Sequence, residues 1–178
     1  MGKMIIDCET TGLAPIVKET NEKKEIIRVH KRLICISVVN LDNNEVVSFY
    51  GNDEKKMLVD FFDYCDKGIL TQLVGFNLSF DLNFIRVRSF VNNVKIPPIF
   101  LRAEILDLRR IISLEEYSVG TLRTYGECCG VIAHTENGSQ MIEMFEKGNW
   151  DFVKDHCEED VELTKIVLER CKECGLIQ

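Results

Sequence analysis

The order of apolar and polar positions along the chain predicts a strand-rich first part and a helix-rich second part. Runs of β-branched and apolar residues predict strands at 3–8, 33–40, 45–50, 71–76 and 105–108. Apolar residues that recur at helical spacing predict helices at 54–66, 79–91, 118–130, 139–148 and 150–174. Strands that first group together and then alternate with helices favour an α/β fold, in which helices pack against a mixed sheet.

The connections between these elements differ in character. Asparagine and aspartate at 41–44 predict a hairpin turn between the second and third strands. Residues 14–32 are polar and rich in lysine, and they predict a loop or a mobile ribbon outside the core. Because the 178 residues contain no repeat and no linker, we expect a single domain over 1–178.

Composition favours a cytoplasmic protein. No apolar run approaches the ~20 residues of a membrane span, and the apolar start of the chain ends at Asp7, too early for a signal peptide. The eight cysteines are scattered, as expected of free thiols in a reducing compartment. An alternative is structural zinc held by Cys171 and Cys174 with Cys128 and Cys129, although adjacent cysteines are an unusual ligand pair.

The formal net charge of −7 argues against a protein that coats nucleic acid, which would be basic. A negative net charge is nevertheless compatible with an enzyme that binds nucleic acid at a single metal-containing site. Two divalent cations on four carboxylates would reduce the net charge of −7 to −3.

The first candidate motif is an acid pair on the first strand. Asp7 and Glu9 are two apart, so they point to the same face, with Ile5 behind them. Two carboxylates side by side at the end of a buried strand repel each other, and a bound cation relieves that repulsion. On its own, the pair is more typical of a strand end that emerges into solvent.

The second candidate is an aspartate at the start of a helix. Asn77 or Ser79 can cap the helix that follows the strand at 71–76, and Asn77, Asp81 and Ile85 share one helical face with Phe84 beside them. An acid near the carboxyl end of a strand lies where α/β sheets place their active sites. The alternative is a favourable charge at a helix N-terminus.

The third candidate lies on the last helix. Asp160 interrupts an otherwise apolar stripe, and His156 precedes it by one turn on the same side. A buried carboxylate without a partner is costly, so we expect Asp160 to be paired or bound to metal. The alternative for His156 is an ordinary packed core residue.

Together the three motifs point inward from elements that can adjoin in one layer. Oxygen-only ligands suit Mg²⁺ or Mn²⁺ rather than zinc. Two such ions about 3.5–4 Å apart are the arrangement used for in-line phosphodiester hydrolysis.

These residues resemble the motifs of the DEDD, or DnaQ-like, 3′–5′ exonuclease superfamily. Asp-Cys-Glu-Thr at 7–10 is similar to its first motif, D-x-E-T, and Asn-Leu-Ser-Phe-Asp at 77–81 is similar to its second, N-x-x-F-D. The third motif ends in an aspartate preceded by tyrosine or histidine, as in 156–160. The resemblance implies an RNase H-like fold, with a five-stranded mixed sheet and flanking helices.

The resemblance also implies a function and a set of roles. The expected activity is hydrolysis from the 3′ end of DNA or RNA, which releases nucleoside 5′-monophosphates with the help of two divalent cations. The residues implied to hold the cations are Asp7, Glu9, Asp81 and Asp160. His156 is implied to accept or orient the proton of the attacking water. The residues implied to bind the substrate are Thr10, Leu13, Asn77 and Phe84, with Phe84 as a stacking face for a base.

One spacing departs from the family pattern. In the branch with histidine, the histidine precedes the last aspartate by five positions, whereas the tyrosine of the other branch precedes it by four. Here His156 precedes Asp160 by four. His156 therefore has the residue type of the histidine branch and the spacing of the tyrosine branch.

Several alternatives stay open at this point. The same acids suit an oligoribonuclease or an endonuclease, and the fold also suits a nucleic-acid-binding module without catalysis. The basic residues within 14–32 are either a guide for a single strand or a solvated surface. We expect a nucleic-acid partner and no membrane association, and the sequence leaves the oligomeric state open.

Overall fold

In the computed structural model, which describes residues 2–20, 26–113, 120–132 and 138–177, five strands form one sheet. In chain order the strands are β1 (Gly2–Thr10), β2 (Ile16–Thr20), β3 (Ile26–His30), β4 (Leu33–Asn40), β5 (Glu45–Tyr50), β6 (Leu70–Gly75) and β7 (Glu104–Asp107). The order across the sheet is β5-β4-β1-β6-β7. β1 runs antiparallel to β4 and parallel to β6, so the sheet is mixed, as predicted.

The helices are α1 (Glu54–Lys67), α2 (Ser79–Asn92), α3 (Pro98–Arg102), α4 (Leu108–Ile112), α5 (Leu122–Cys128), α6 (Gly138–Glu146) and α7 (Trp150–Glu173). The first three pack on one face of the sheet and α7 packs on the other. The sheet therefore has two separate cores, one on each side.

The alternation of β1 sends its side chains to both cores. Met4, Ile6 and Cys8 join the core under α1 and α2, whereas Ile5 joins the core under α7. Because side chains two apart share a face, Asp7 continues the Ile5 row toward α7. The strand thereby carries its acids out of an apolar core and into contact with the last helix.

Within the segment 14–32, β2 and β3 pair antiparallel and form a separate two-stranded ribbon. The Lys31 amide donates to the Pro15 carbonyl, and the Thr11 amide donates to the Arg32 carbonyl, so the two ends of the ribbon are held together beside β1. The prediction of an element outside the core is confirmed. Residues 21–25 lie outside the described part of the chain.

One predicted helix start and one predicted helix cap differ from the structure. The helix expected over 118–130 begins at Leu122, because the Thr121 side chain accepts from the Thr124 amide and caps it; Ser118 lies outside the described residues. At α2 neither Asn77 nor Ser79 is the cap, since the N-cap position is occupied by Leu78 without a side-chain hydrogen bond. None of the described helices is both long and apolar enough to cross a membrane.

Candidate metal centre

The carboxyl end of β1 brings the first two motifs together. The Cys8 amide donates to Asp81 Oδ1 at 3.0 Å, which ties the start of α2 to the strand between Asp7 and Glu9. The pairing of β1 with β4 shifts register between Glu9 and Thr10, so the regular ladder ends where the acids lie. Asp81 is buried, and the hydrogen bond holds its carboxylate beside the acid pair.

The last helix completes the group from the opposite side. His156 Nε2 lies 3.6 Å from Glu9 Oε1 and 3.8 Å from Asp160 Oδ2. Glu9, His156 and Asp160 each offer a ligand atom, and these atoms lie within 4.8 Å of one another. The structure therefore places the sequence-predicted acids and His156 together at the carboxyl end of the central strand.

Burial and mutual repulsion disfavour the ionised form of the four carboxylates and raise their pKa values. Burial raises the pKa of Asp7 well above its usual range, and the Asp81, Asp160 and Glu9 carboxylates raise it further. Burial and Asp160 likewise raise the pKa of Glu9, and burial raises the pKa of Asp81 to about 8 although the Cys8 hydrogen bonds oppose the shift. Burial raises the pKa of Asp160, while His156 acts in the opposite sense. Convergent carboxylates that repel one another are the donor set that fits divalent cations.

Asp107 supports this site and was missed by sequence reasoning. Its Oδ1 accepts from the Asn77 amide at 2.9 Å, and Arg109 Nη1 donates to Asn77 Oδ1 at 3.3 Å. Asn77 has φ of 60°, so it turns the chain between β6 and α2 rather than sharing a helical face with Asp81. That part of the prediction is wrong, because the helix begins only at Ser79. An aspartate at the end of a neighbouring parallel strand was the available signal.

The other predicted substrate residues have different environments. Leu13 is 91% exposed, and the Thr10 hydroxyl donates to the Gly12 carbonyl at 2.8 Å, which shapes the turn after β1. Phe84 is fully buried and packs against Phe80. The prediction of Phe84 as a stacking face is wrong, since its place on the helix directs it into the core.

Two buried thiols lie beneath the acids. Cys157 Sγ lies 3.5 Å from the Asp7 carbonyl oxygen and 3.8 Å from Asp7 Oδ2. Cys35 is the register partner of Glu9 on the adjacent strand. Sequence reasoning treated both only as free thiols, and the fold alone shows that Cys157 contacts Asp7 and that Cys35 lies next to Glu9.

A cavity of about 410 Å³ opens beside His156 and Asp160. Its apolar lining comes from α5, the segment after it and α7: Leu122, Val131, Ile132, Leu163 and Ile166. Ile132 is 96% exposed, so an apolar side chain faces solvent at this place. No motif predicted the cavity, because its walls come from separate parts of the chain.

The zinc alternative gains no support from the described residues. Within 2–20, 26–113, 120–132 and 138–177, the group of potential metal ligands is Glu9, His156 and Asp160, and it contains no cysteine. Cys128 and Cys174 are exposed, whereas Cys171 is buried.

A five-stranded mixed sheet with inward acids on β1, α2 and α7 defines the RNase H-like fold of the DEDD, or DnaQ-like, superfamily. Residues 25–107 match the model of a family described as a predicted 3′-5′ exonuclease related to the exonuclease domain of PolB. That match includes Asp81, whereas Asp7, Glu9 and Asp160 lie outside it.

Two further similarities extend beyond that segment. An uncharacterized protein of Methanocaldococcus jannaschii is 30% identical over 190 residues, which cover 100% of this chain and 99% of that protein. The family B DNA polymerase of the hyperthermophilic archaeon Pyrobaculum calidifontis matches with a TM-score of 0.73 at 15% identity. The match covers 96% of this chain and 24% of the polymerase chain, so it shows the fold. The chain therefore belongs to one family with the Methanocaldococcus jannaschii protein, and its segment 25–107 is similar to PolB-related exonuclease domains.

Proposed function

We propose that the protein is a metal-dependent 3′–5′ exonuclease that hydrolyses DNA or RNA and releases nucleoside 5′-monophosphates. The observation that carries the proposal is the convergence of Asp7, Glu9, Asp81 and Asp160 at the end of the central strand. Apolar cores lie behind these acids on both sides of the sheet, so their placement there has no structural benefit of its own.

The four carboxylates would hold two divalent cations, Mg²⁺ or Mn²⁺, with Asp7, Glu9 and Asp160 as direct ligands. When bound, the cations supply an acidified water and stabilise the charge of the leaving 3′ oxygen. Asp81 holds its orientation through the Cys8 amide, so its carboxylate is preorganised. His156 faces the same space and serves either as the proton acceptor for the attacking water or as a further ligand.

The substrate is a nucleic-acid 3′ end, single-stranded where it enters the site. The apolar cavity next to His156 and Asp160 offers room for a nucleotide, and Ile132 and Leu13 are exposed apolar side chains that can contact a base. Apolar and stacking contacts tolerate any base, so weak sequence preference is expected. The cysteines of the described part of the chain are free, which favours a reducing, cytoplasmic setting.

The test is an assay on 5′-labelled single-stranded DNA and RNA of equal length, with Mg²⁺, Mn²⁺ or EDTA. A ladder that shortens from the 3′ end with metal, and is absent in EDTA and in Asp7→Ala, is the expected result. Internal cuts would indicate an endonuclease, and cleavage of di- to pentanucleotides alone would indicate an oligoribonuclease. Binding without cleavage under every condition would overturn the proposal and favour a binding module.

A further inference from the structure

The ring of His156 on α7 lies within the group of acids and does not merely border it. Its side chain is 16% exposed, and Nε2 lies between a carboxylate of β1 and a carboxylate of its own helix. Glu9 and Asp160 come from opposite sides, so the three donor atoms converge on one point. A ring nitrogen between two acids from different elements is a candidate ligand for the same cation.

The distances favour coordination over hydrogen bonding. At 3.6 Å and 3.8 Å, Nε2 is too far from either carboxylate oxygen for a good hydrogen bond. Two donor atoms that each bind one ion at about 2.1–2.2 Å, with angles between about 90° and 120°, lie roughly 3.0–3.8 Å apart. Both distances fall within that interval, so one ion can reach Nε2 and either oxygen with little movement.

The spacing along α7 explains why His156 and Asp160 lie on the same side of the helix. At 100° per residue, a four-residue separation leaves two side chains about 40° apart around the helix axis. A five-residue separation in a continuous helix would leave them about 140° apart. His156 and Asp160 therefore point to the same side because the spacing is four, and α7 is continuous through both positions.

We propose that His156 is a direct metal ligand with Glu9 and Asp160, and that the site prefers a transition-metal ion such as Mn²⁺ over Mg²⁺. Imidazole nitrogen binds transition metals well, whereas Mg²⁺ requires near-ideal octahedral oxygen ligands and keeps its water. Mn²⁺ suits the carboxylate oxygens of this site and, as a first-row transition metal, also binds a ring nitrogen, although less tightly than Fe²⁺ or Zn²⁺ does. This inference rests on the proposed metal site and assigns His156 its role there.

The test reads the ligand directly, without catalysis. Mn²⁺ is added at a substoichiometric level to the full chain, and its electron spin echo envelope modulation is recorded in wild type, His156→Gln and His30→Gln. His30 is an exposed histidine of β3 that lies beside Arg88, so its replacement is the matched control. We expect ¹⁴N modulation from a bound imidazole in wild type and in His30→Gln, and its loss in His156→Gln.

A calorimetric titration adds the metal preference. Replacing residues that only orient a metal ligand costs about 10–100-fold in metal affinity, so losing a ligand itself should weaken Mn²⁺ binding at least tenfold. Mg²⁺ binding should change much less, because it depends on the carboxylates. In wild type, Mn²⁺ should bind tighter than Mg²⁺, and the difference should shrink in His156→Gln.

The outcomes separate the two proposals. Wild-type protein that binds Mn²⁺ without nitrogen modulation, or modulation that persists in His156→Gln, overturns the ligand role and leaves the nuclease proposal standing. Wild-type protein that binds neither ion overturns the metal site, and the ligand role falls with it. Should His156→Gln fail to fold, labelling the wild type with ¹⁵N-histidine still decides whether the bound nitrogen is an imidazole.

Discussion

At the scale of single residues, the acids of this site are held in place by groups that do not neutralise them. The Cys8 amide fixes Asp81, and the Cys157 thiol lies against Asp7, but neither carries a positive charge. The raised pKa values of these acids are the consequence of burial and of their mutual repulsion. The metal-free protein is therefore under electrostatic strain that depends on pH.

That strain predicts the pH dependence of stability in EDTA. Because the pKa of Asp81 rises to about 8 on folding, the folded state binds its proton more tightly than the unfolded state, where it titrates near pH 4. The stabilisation is present at low pH and is lost as the pH rises toward 8. The melting temperature of the metal-free protein should fall from pH 5 to pH 8.5, and in Asp81→Asn the fall should be smaller.

Asn keeps an oxygen that accepts from the Cys8 amide, so the substitution removes charge with little change in shape. Asp63→Asn, at an exposed position of α1, is the matched control and should follow the wild-type curve. Equal slopes in wild type and Asp81→Asn would show that this carboxylate does not strain the metal-free fold.

Exposed apolar residues near the acids are the second residue-scale feature. Leu13 gains little from folding, since it is 91% exposed, so its replacement should change the free energy of unfolding by less than about 0.5 kcal/mol. If Leu13 contacts the terminal base, Leu13→Ala should raise KM for an oligonucleotide several-fold with a smaller effect on kcat. Phe90→Ala, at an exposed position of α2, controls for general surface effects; equal KM changes in the two variants would remove Leu13 from the substrate site.

At the scale of elements, a buried ion pair links three parts of the fold. Arg88 of α2 donates to both carboxylate oxygens of Glu54 at the start of α1, at 2.9 Å and 2.6 Å, and each side chain is 5% exposed. Glu54 also accepts from the Leu33 amide at 2.8 Å, where β4 begins. The pair thereby fixes α1 and α2 to β4, the strand beside β1.

Removing one partner of this pair should destabilise the fold strongly. Arg88→Met leaves the Glu54 carboxylate buried without its cation, which costs about 3–5 kcal/mol. The double variant Glu54→Gln with Arg88→Met removes the isolated charge, so it should regain part of that loss. Urea unfolding of the two single variants and the double variant measures the coupling; additive losses would show that the pair contributes nothing beyond its separate contacts.

Several elements could be predicted from the sequence because their signals are local. The hairpin at 33–50 has turn residues between two β-rich runs, and its strands occur at the predicted bounds. α7 likewise follows from one long apolar stripe. Phe84 was misplaced because the sequence does not show which face of α2 packs into the core. Asn77 was misplaced because it lies before the helix, and Leu78 occupies the cap position without any sequence signal for a cap.

At the scale of the whole molecule, the site is assembled from the first strand, the second helix and the last helix. The acids themselves could be found by motif, but their distances to one another depend on the packing of both cores. Cys157, Asp107 and the apolar cavity were missed for that reason, since each meets the acids only through contacts distant in the chain. His156 could be found by motif, but its closeness to Glu9 depends on α7 crossing the end of β1.

The distribution of charge over the molecule also bears on substrate binding. Lys31 of the segment 14–32 pairs with Glu19 at 3.4 Å, and the Arg32 guanidinium donates to the Asn52 carbonyl and lies over the Phe145 ring. The Lys31 and Arg32 side chains are therefore already engaged in contacts within the protein itself. In a chain of net charge −7, we expect divalent cations bound at the metal centre to add to the attraction for phosphate.

Binding of divalent cations to the acids should also stabilise the fold. If divalent cations bind the folded acids and not the unfolded chain, an ion at about 100 times its Kd adds about 2.7 kcal/mol to the free energy of unfolding. In a chain of 178 residues this corresponds to a rise of roughly 5–10 °C in the melting temperature. Glu9→Gln should melt higher than wild type in EDTA, because a buried repulsion is gone, and should gain less from Mn²⁺. A gain as large in Glu9→Gln as in wild type would mean that the ions bind elsewhere on the acidic surface, and the metal centre would have to be abandoned.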